Sequence, residues 1–126
     1  MIDTTDLIGT PFVIGGRPDN NLGGLDCYGL VQEVQSRLGH QLPDRGFSER
    51  QNAIALMMQI QMNEWEACER EPGAVFLFRI RKLAAHVGVM VSRTQFIHTW
   101  EKSGGVCIER ISEWEKRIVG VYRYAK

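Results

Sequence analysis

The sequence predicts an α+β domain in which N-terminal helices pack on an antiparallel sheet. Apolar residues recur at helical spacing in the first half of the chain, whereas most strand-like segments lie in the second half. A chain of 126 residues is long enough to bury one hydrophobic core, so we assign residues 1–126 to a single domain. No internal repeat or low-complexity linker suggests a second domain.

The first helix is predicted from near Cys27 to near Gly39. Apolar residues follow at helical spacing: Leu30, Val31, Val34 and Leu38. Asp26 is a favoured N-cap residue type, and Gly39 is a common residue just beyond a helix end. Because Cys27 shares the apolar face of this helix, its sulfur should point toward the interior.

A second helix and five strands are predicted after it. The capping-box pattern Ser48–Gln51 precedes an apolar run that reaches Ile60. Strands are predicted at residues 74–80, 86–91, 95–100, 105–110 and 119–124, and a short helical connector at 111–116. Helices followed by strands within one small domain indicate the α+β class.

The strands at 86–91 and 95–100 should form an antiparallel hairpin around a short loop. If Val91 pairs with Gln95, Gly88 lies opposite His98 and His86 becomes the diagonal neighbour of His98. One face would then carry alternate residues of both strands: His86, Gly88, Phe96, His98 and Trp100. A two-residue loop would instead place the two histidines on opposite faces.

These positions suggest a cysteine nucleophile. A thiol in the first turn of a helix lies close to unpaired backbone N–H groups and the positive end of the helix dipole, which favour the thiolate. If the helix is buried on the histidine-bearing face, Cys27, His86 and His98 supply a nucleophile, a base and a group that orients the base. Cys68 and Cys107 are interpreted as small apolar residues, and His40 as structural.

Charge and cysteine content exclude several other classes. Lys+Arg and Asp+Glu number 15 each, so no strong field favours a nucleic acid or an anionic membrane as partner. Three cysteines without a Cys-x-x-Cys pair do not indicate a disulfide framework or a zinc ribbon. We expect no cofactor, and no metal on Cys27, His86 and His98, because no fourth ligand is evident.

The N-terminal residues lack a basic stretch and an apolar run. We therefore expect no signal peptide and no transmembrane span, and we expect synthesis in the bacterial cytoplasm.

Several short motifs together resemble the NlpC family of bacterial and phage cell-wall peptidases. They occur in the family's order between about Gly9 and Tyr124: Gly15-Gly16, Leu25-Asp26-Cys27-x-Gly29-Leu30-Val31, Pro72-Gly73, His86-Val87-Gly88 and Phe96-Ile97-His98. The resemblance implies a papain-like fold with Cys27 as nucleophile, His86 as base and His98 as the orienting residue. It also implies cleavage of peptidoglycan stem peptides next to D-amino acids. Single-domain relatives occur in phage tails and prophages, which makes phage tail proteins the expected carriers.

The sequence departs from the family pattern beside the expected site. Phe12 stands where the family usually has a tyrosine, Tyr28 follows the cysteine where a small residue is usual, and Pro72-Gly73-Ala74 replaces a Pro-Gly-Asp turn. We expect Phe12, Asp26 and Tyr28 to border the substrate. Two alternatives to a peptidase stay open: an amidase or acyltransferase with the same three residues, or a catalytically silent structural protein of a phage tail tip.

Overall fold

The structure is a computed structural model that describes residues 2–44, 56, 59–80 and 83–126. Within these ranges the fold is mixed α+β, as the sequence predicts. The predicted capping box at 48–51 lies outside the described residues, while Leu56 and residues 59–61 are helical. None of the helices in the described ranges combines the length and apolar character needed to cross a bilayer.

Among the described residues, six antiparallel strands form one sheet in the order β1-β6-β2-β3-β4-β5. The strands are β1 (Trp65–Ala67), β2 (Val75–Ile80), β3 (Leu83–Met90), β4 (Gln95–His98), β5 (Cys107–Arg110) and β6 (Ile118–Tyr124). Helix α1 spans Cys27–Arg37, and a short helix spans Ile111–Trp114. Two 3₁₀ turns lie at Thr5–Leu7 and Glu115–Arg117.

Helix α1 begins and ends where the sequence predicts. The Asp26 side chain caps it by accepting a hydrogen bond from the Gly29 N–H at 2.8 Å. Beyond Arg37, Gly39 adopts a positive φ of 91°, a conformation that favours glycine and ends the helix. The sequence alone therefore fixes the N-terminal end of α1 at Cys27.

The hairpin register is also the predicted one. Met90 pairs with Phe96, and the Val91 N–H donates to the Gln95 carbonyl at 3.0 Å. This register puts His86 and His98 on one sheet face. Strand β3 starts earlier than predicted, at Leu83. Strand β1 was not predicted, because a three-residue edge strand is too short to show alternation.

The two sheet faces bury different core clusters. One face, which we call the helix face, carries apolar residues that pack with α1: Val75, Leu77, Val87, Val89 and Ile97, against Leu30, Val31 and Val34. The opposite face, which we call the histidine face, carries Phe76, Phe78 and Phe96 and is covered by Ile111 and Trp114 of the short helix.

The apolar residues of α1 pack on the helix face, and not on the face considered in the sequence analysis. Alternate residues of β3 put Val87 and Val89 on the helix face and His86 and Gly88 on the other. The aliphatic side chains of the helix face pack with those of α1, whereas the phenylalanines of the histidine face pack with Trp114. The short helix, with Trp114, covers the histidine face.

Candidate active site

Two buried imidazoles meet on the histidine face. His86 Nε2 and His98 Nδ1 are 2.8 Å apart, and the two residues are 2% and 0% exposed. Gly88 leaves room for them, since a Cβ there would lie 3.2 Å from the His98 Cβ. The structure thus brings together the two histidines that the sequence analysis singled out.

A carboxylate extends this pair into a chain of three groups. Strand β5 pairs with β4, and the Glu109 carboxylate contacts His98 Nε2. A carboxylate only accepts hydrogen bonds, so we assign the Nε2 proton of His98 to this contact. His98 Nδ1 then accepts from His86 Nε2–H, which leaves His86 Nδ1 as the basic nitrogen of the chain.

Aromatic rings enclose the histidines. Phe78, Trp100 and Trp114 lie 5.6, 5.8 and 5.9 Å from His86, measured between ring centroids. This burial, together with the neighbouring His98, holds the pKa of His86 well below its usual value. Burial also lowers the pKa of His98, although the hydrogen bond to Glu109 opposes the change. Both imidazoles are therefore neutral near pH 7, and a neutral imidazole is the form that accepts a proton.

Cys27 is a core residue of the structure. It is the first residue of α1, is fully buried, and belongs to the core cluster of the helix face. Helix α1 contacts β3 and β4, the strands that carry the histidines. The structure therefore places Cys27 at the predicted helix start, on a helix that packs on the strands carrying the histidines.

Asp26 is part of the framework beside Cys27. Its carboxylate accepts hydrogen bonds from the Gly29 N–H, from Arg17 Nη1 at 2.7 Å and from the Gly15 N–H at 3.2 Å. The side chain is fully buried. These contacts hold the glycine-rich segment against the start of α1, so the role that the structure shows for Asp26 is structural.

Tyr28 is likewise held by other parts of the chain. Its hydroxyl donates to the Pro43 carbonyl at 2.9 Å and accepts from Gln59 Nε2 at 3.0 Å. The Gln59 Oε1 in turn accepts from Trp65 Nε1. Burial raises the pKa of Tyr28 to about 12, so the phenol stays protonated. Tyr28 thereby links α1 to the segments that follow it.

Phe12 is more accessible than Asp26 and Tyr28, the other two residues expected to border the substrate. It is half-buried, forms a bridge with Leu25, and donates its N–H to the Gly104 carbonyl. This places Phe12 next to the segment that enters α1 at Cys27.

Glu109 is the site residue that the sequence analysis missed. The strand at 105–110 was predicted, but its pairing with β4 was not. Alternation alone puts Cys107 and Glu109 on the same face of that strand. Once β5 is placed beside β4, His98 lies opposite Cys107 and Glu109 becomes its diagonal neighbour.

We expect Gly88→Ala to destabilise the domain and disturb the histidine pair. The added Cβ would lie 3.0 Å from the Ile97 carbonyl oxygen and 3.1 Å from a ring carbon of Phe96. Overpacking of this kind costs about 1–3 kcal/mol of unfolding free energy. Urea denaturation measures the loss, with exposed Val119→Ala as the control. A Gly88→Ala protein as stable as the wild type would contradict the close packing around the histidines.

A sequence model of the NlpC/P60 family matches residues 9–123. The chain belongs to the NlpC/P60 family. Members of this family are generally cell-wall peptidases. The resemblance drawn from the glycine, cysteine and histidine motifs is therefore confirmed. No curated protein matches the chain significantly.

Solved structures of NlpC/P60 domains share this fold. A lipoprotein-like NLP/P60 protein from Staphylococcus aureus is 23% identical with a TM-score of 0.63, and the match covers 94% of this chain and 37% of that one. NlpC1 from Trichomonas vaginalis is 22% identical with a TM-score of 0.69, covering 96% and 41%. The P60 domain of an antigen from M. avium subspecies paratuberculosis is 16% identical with a TM-score of 0.65, covering 94% and 86%. The chain thus spans about two fifths of the first two proteins.

Proposed function

We propose that this NlpC/P60 domain is a cysteine peptidase that hydrolyses stem-peptide bonds of bacterial peptidoglycan. Cys27 is the nucleophile, His86 the general base, and His98 the residue that orients His86. The observation that carries the proposal is the chain of contacts from the half-buried Glu109 through His98 to the buried His86. This chain of contacts occurs in a member of a family of cell-wall peptidases. Helix α1, which begins with Cys27, contacts the two strands that carry the histidines.

The chemistry follows from the proton positions in this chain. Glu109 and His98 hold the His86 proton on Nε2, so His86 Nδ1 accepts the thiol proton of Cys27 and later delivers it to the leaving amine. The Cys27 sulfur attacks the scissile carbonyl and forms an acyl-enzyme, which water then hydrolyses. The backbone N–H of Cys27, at the start of α1, is the proposed donor to the oxyanion.

This mechanism requires the Cys27 thiol to come within hydrogen-bond reach of His86 in the substrate complex.

Digestion of purified peptidoglycan tests the proposed activity. New amino and carboxyl termini within the stem peptide, identified by mass spectrometry, are the expected result. Such termini also separate a peptidase from an amidase that cuts between sugar and peptide. Intact stem peptides after prolonged digestion with the folded domain would refute the proposal.

We also propose that a phage tail or tail-like particle carries the domain to the cell wall. The balance of charges supports this proposal. With 15 basic and 15 acidic residues, the chain has no net positive charge that would attract it to an anionic wall. Fractionated particles should contain the chain when probed with an antibody. Its absence from particles, together with strong lysis of intact cells by the free domain, would rule out carriage.

A catalytically silent structural domain is the second candidate. It is favoured by the complete burial of Cys27. Alkylation by iodoacetamide distinguishes the two candidates. A working site makes Cys27 react faster than Cys68 and Cys107, whereas a silent domain protects Cys27 more than the two half-buried thiols.

Glu109→Gln is expected to lower kcat by about tenfold with little change in KM. The amide keeps the shape of the carboxylate but removes the charge that fixes the His98 tautomer. Because His86 itself stays in place, the loss of rate should be smaller than the roughly 10²–10⁴-fold contribution of a general base. The measurement is steady-state hydrolysis of a stem peptide with a chelator present. Exposed Glu113→Gln is the matched control. Equal kcat values for Glu109→Gln and the control would exclude a positioning role.

A further inference from the structure

A second group of chemically reactive side chains lies at the outer end of the histidine chain. Cys107 lies directly opposite His98 on the neighbouring strand, and Glu109 follows two residues later on the same face. One ligand atom from each of the three residues lies within 4.8 Å of the other two. The described residues thus bring together a thiol, an imidazole and a carboxylate.

We propose that His98, Cys107 and Glu109 form a binding site for Zn²⁺ or a similar thiophilic divalent cation. Thiolate, imidazole and carboxylate are all zinc ligands, and three protein ligands with an open fourth position are typical of zinc sites that keep a water.

The geometry needs only small side-chain adjustments. Ligand atoms around a tetrahedral zinc ion lie about 3–4 Å apart, given metal–ligand distances of roughly 2.0–2.3 Å. His98 is held in place by complete burial, whereas Cys107 and Glu109 are half-buried and border the solvent. Cys107 and Glu109 can therefore turn toward His98 Nε2 from the accessible side.

Binding displaces protons in a defined way. Burial raises the pKa of Cys107, so the metal-free protein holds a neutral thiol there. A bound ion takes the sulfur as thiolate, and the thiol proton passes to solvent. The ion also takes the lone pair of His98 Nε2, so the remaining ring proton of His98 must lie on Nδ1.

Binding at this site would also affect the proposed peptidase. The inhibition rests on the proposed function, whereas the binding site does not. A proton on His98 Nδ1 donates to His86 Nε2, which forces the His86 proton onto Nδ1. His86 then has no basic nitrogen left for the thiol. Zinc bound at the outer end of the chain therefore inhibits the peptidase reversibly.

Cobalt substitution tests the binding site without relying on activity. Co²⁺ added to the purified chain should produce a thiolate-to-cobalt charge-transfer absorption in the near ultraviolet. Cys107→Ser should lose this absorption while keeping its circular dichroism spectrum, and Cys68→Ser, which changes another half-buried thiol, should retain it. Absence of the absorption in the wild type, or its persistence in Cys107→Ser, would overturn the site.

Zinc affinity and inhibition complete the test. Titration calorimetry should give one Zn²⁺ per chain, with affinity weakened by about a hundredfold or more in Cys107→Ser, since even outer-shell partners are worth about 10–100-fold. Zn²⁺ should inhibit the wild type and leave Cys107→Ser active. An inactive protein that shows the cobalt absorption contradicts the proposed peptidase and supports the metal site.

Discussion

Cys27→Ala is expected to abolish hydrolysis of peptidoglycan stem peptides while the domain stays folded. The sulfur forms the acyl-enzyme, and nucleophile and base act as a unit, so the rate should fall by several orders of magnitude. His86→Ala should be nearly as damaging, and His98→Ala less so, because water can partly replace an orienting group. The measurement is the rate of release of new termini from purified peptidoglycan.

The control for this prediction is Cys68→Ala. Cys68 is also a thiol, but it packs with the core cluster of the histidine face and has no part in the proposed mechanism. Its hydrolysis rate should equal that of the wild type. Removing the Cys27 sulfur from the core should cost only about 1 kcal/mol of unfolding free energy, so loss of folding does not account for the effect. Hydrolysis at the wild-type rate by Cys27→Ala would refute the proposed nucleophile.

Asp26→Ala is expected to produce the largest loss of stability among the substitutions considered. Asp26 and Arg17 form a buried ion pair at 2.7 Å, with side chains 0% and 4% exposed. Removing the carboxylate leaves the buried guanidinium of Arg17 paired with the more exposed carboxylate of Asp44, 3.2 Å from Arg17 Nε, and also removes the N-cap of α1. Breaking a pair of this kind costs about 3–5 kcal/mol of unfolding free energy. Chemical denaturation followed by circular dichroism measures the loss.

An exposed ion pair of the same length provides the control. Arg37 and Asp6 also lie 2.7 Å apart, but the Asp6 side chain is 65% exposed. Asp6→Ala should change stability little, because solvent screens the pair. The double variant Arg17→Met/Asp26→Ala should recover part of the loss, since no buried charge remains. Equal free energies of unfolding for Asp26→Ala and Asp6→Ala would show that the buried ion pair stabilises the fold no more than the exposed one does.

The hairpin illustrates how far the sequence determines local structure. The loop length between β3 and β4 fixes the register, and the register decides that His86 and His98 share a face with Gly88 between them. These are short-range relations along the chain, so alternation and spacing are enough to predict them. The start of α1 at Cys27 is equally local, because it depends on the Asp26 cap and on the apolar spacing that follows.

Long-range packing decided which sheet face α1 covers and which strand pairs with β4. Which sheet face α1 covers depends on how its side chains fit those of each face: the aliphatic residues Val87 and Val89 pack with α1, whereas the aromatic residues of the histidine face pack with Trp114. The pairing of β5 with β4, which brings Glu109 and Cys107 to His98, joins segments whose order in the sheet no local pattern specifies. The sequence by itself therefore determined the family, the fold class and the histidine pair. Only the tertiary structure decided which side chains surround that pair, because strand order and the choice of sheet face depend on the whole core.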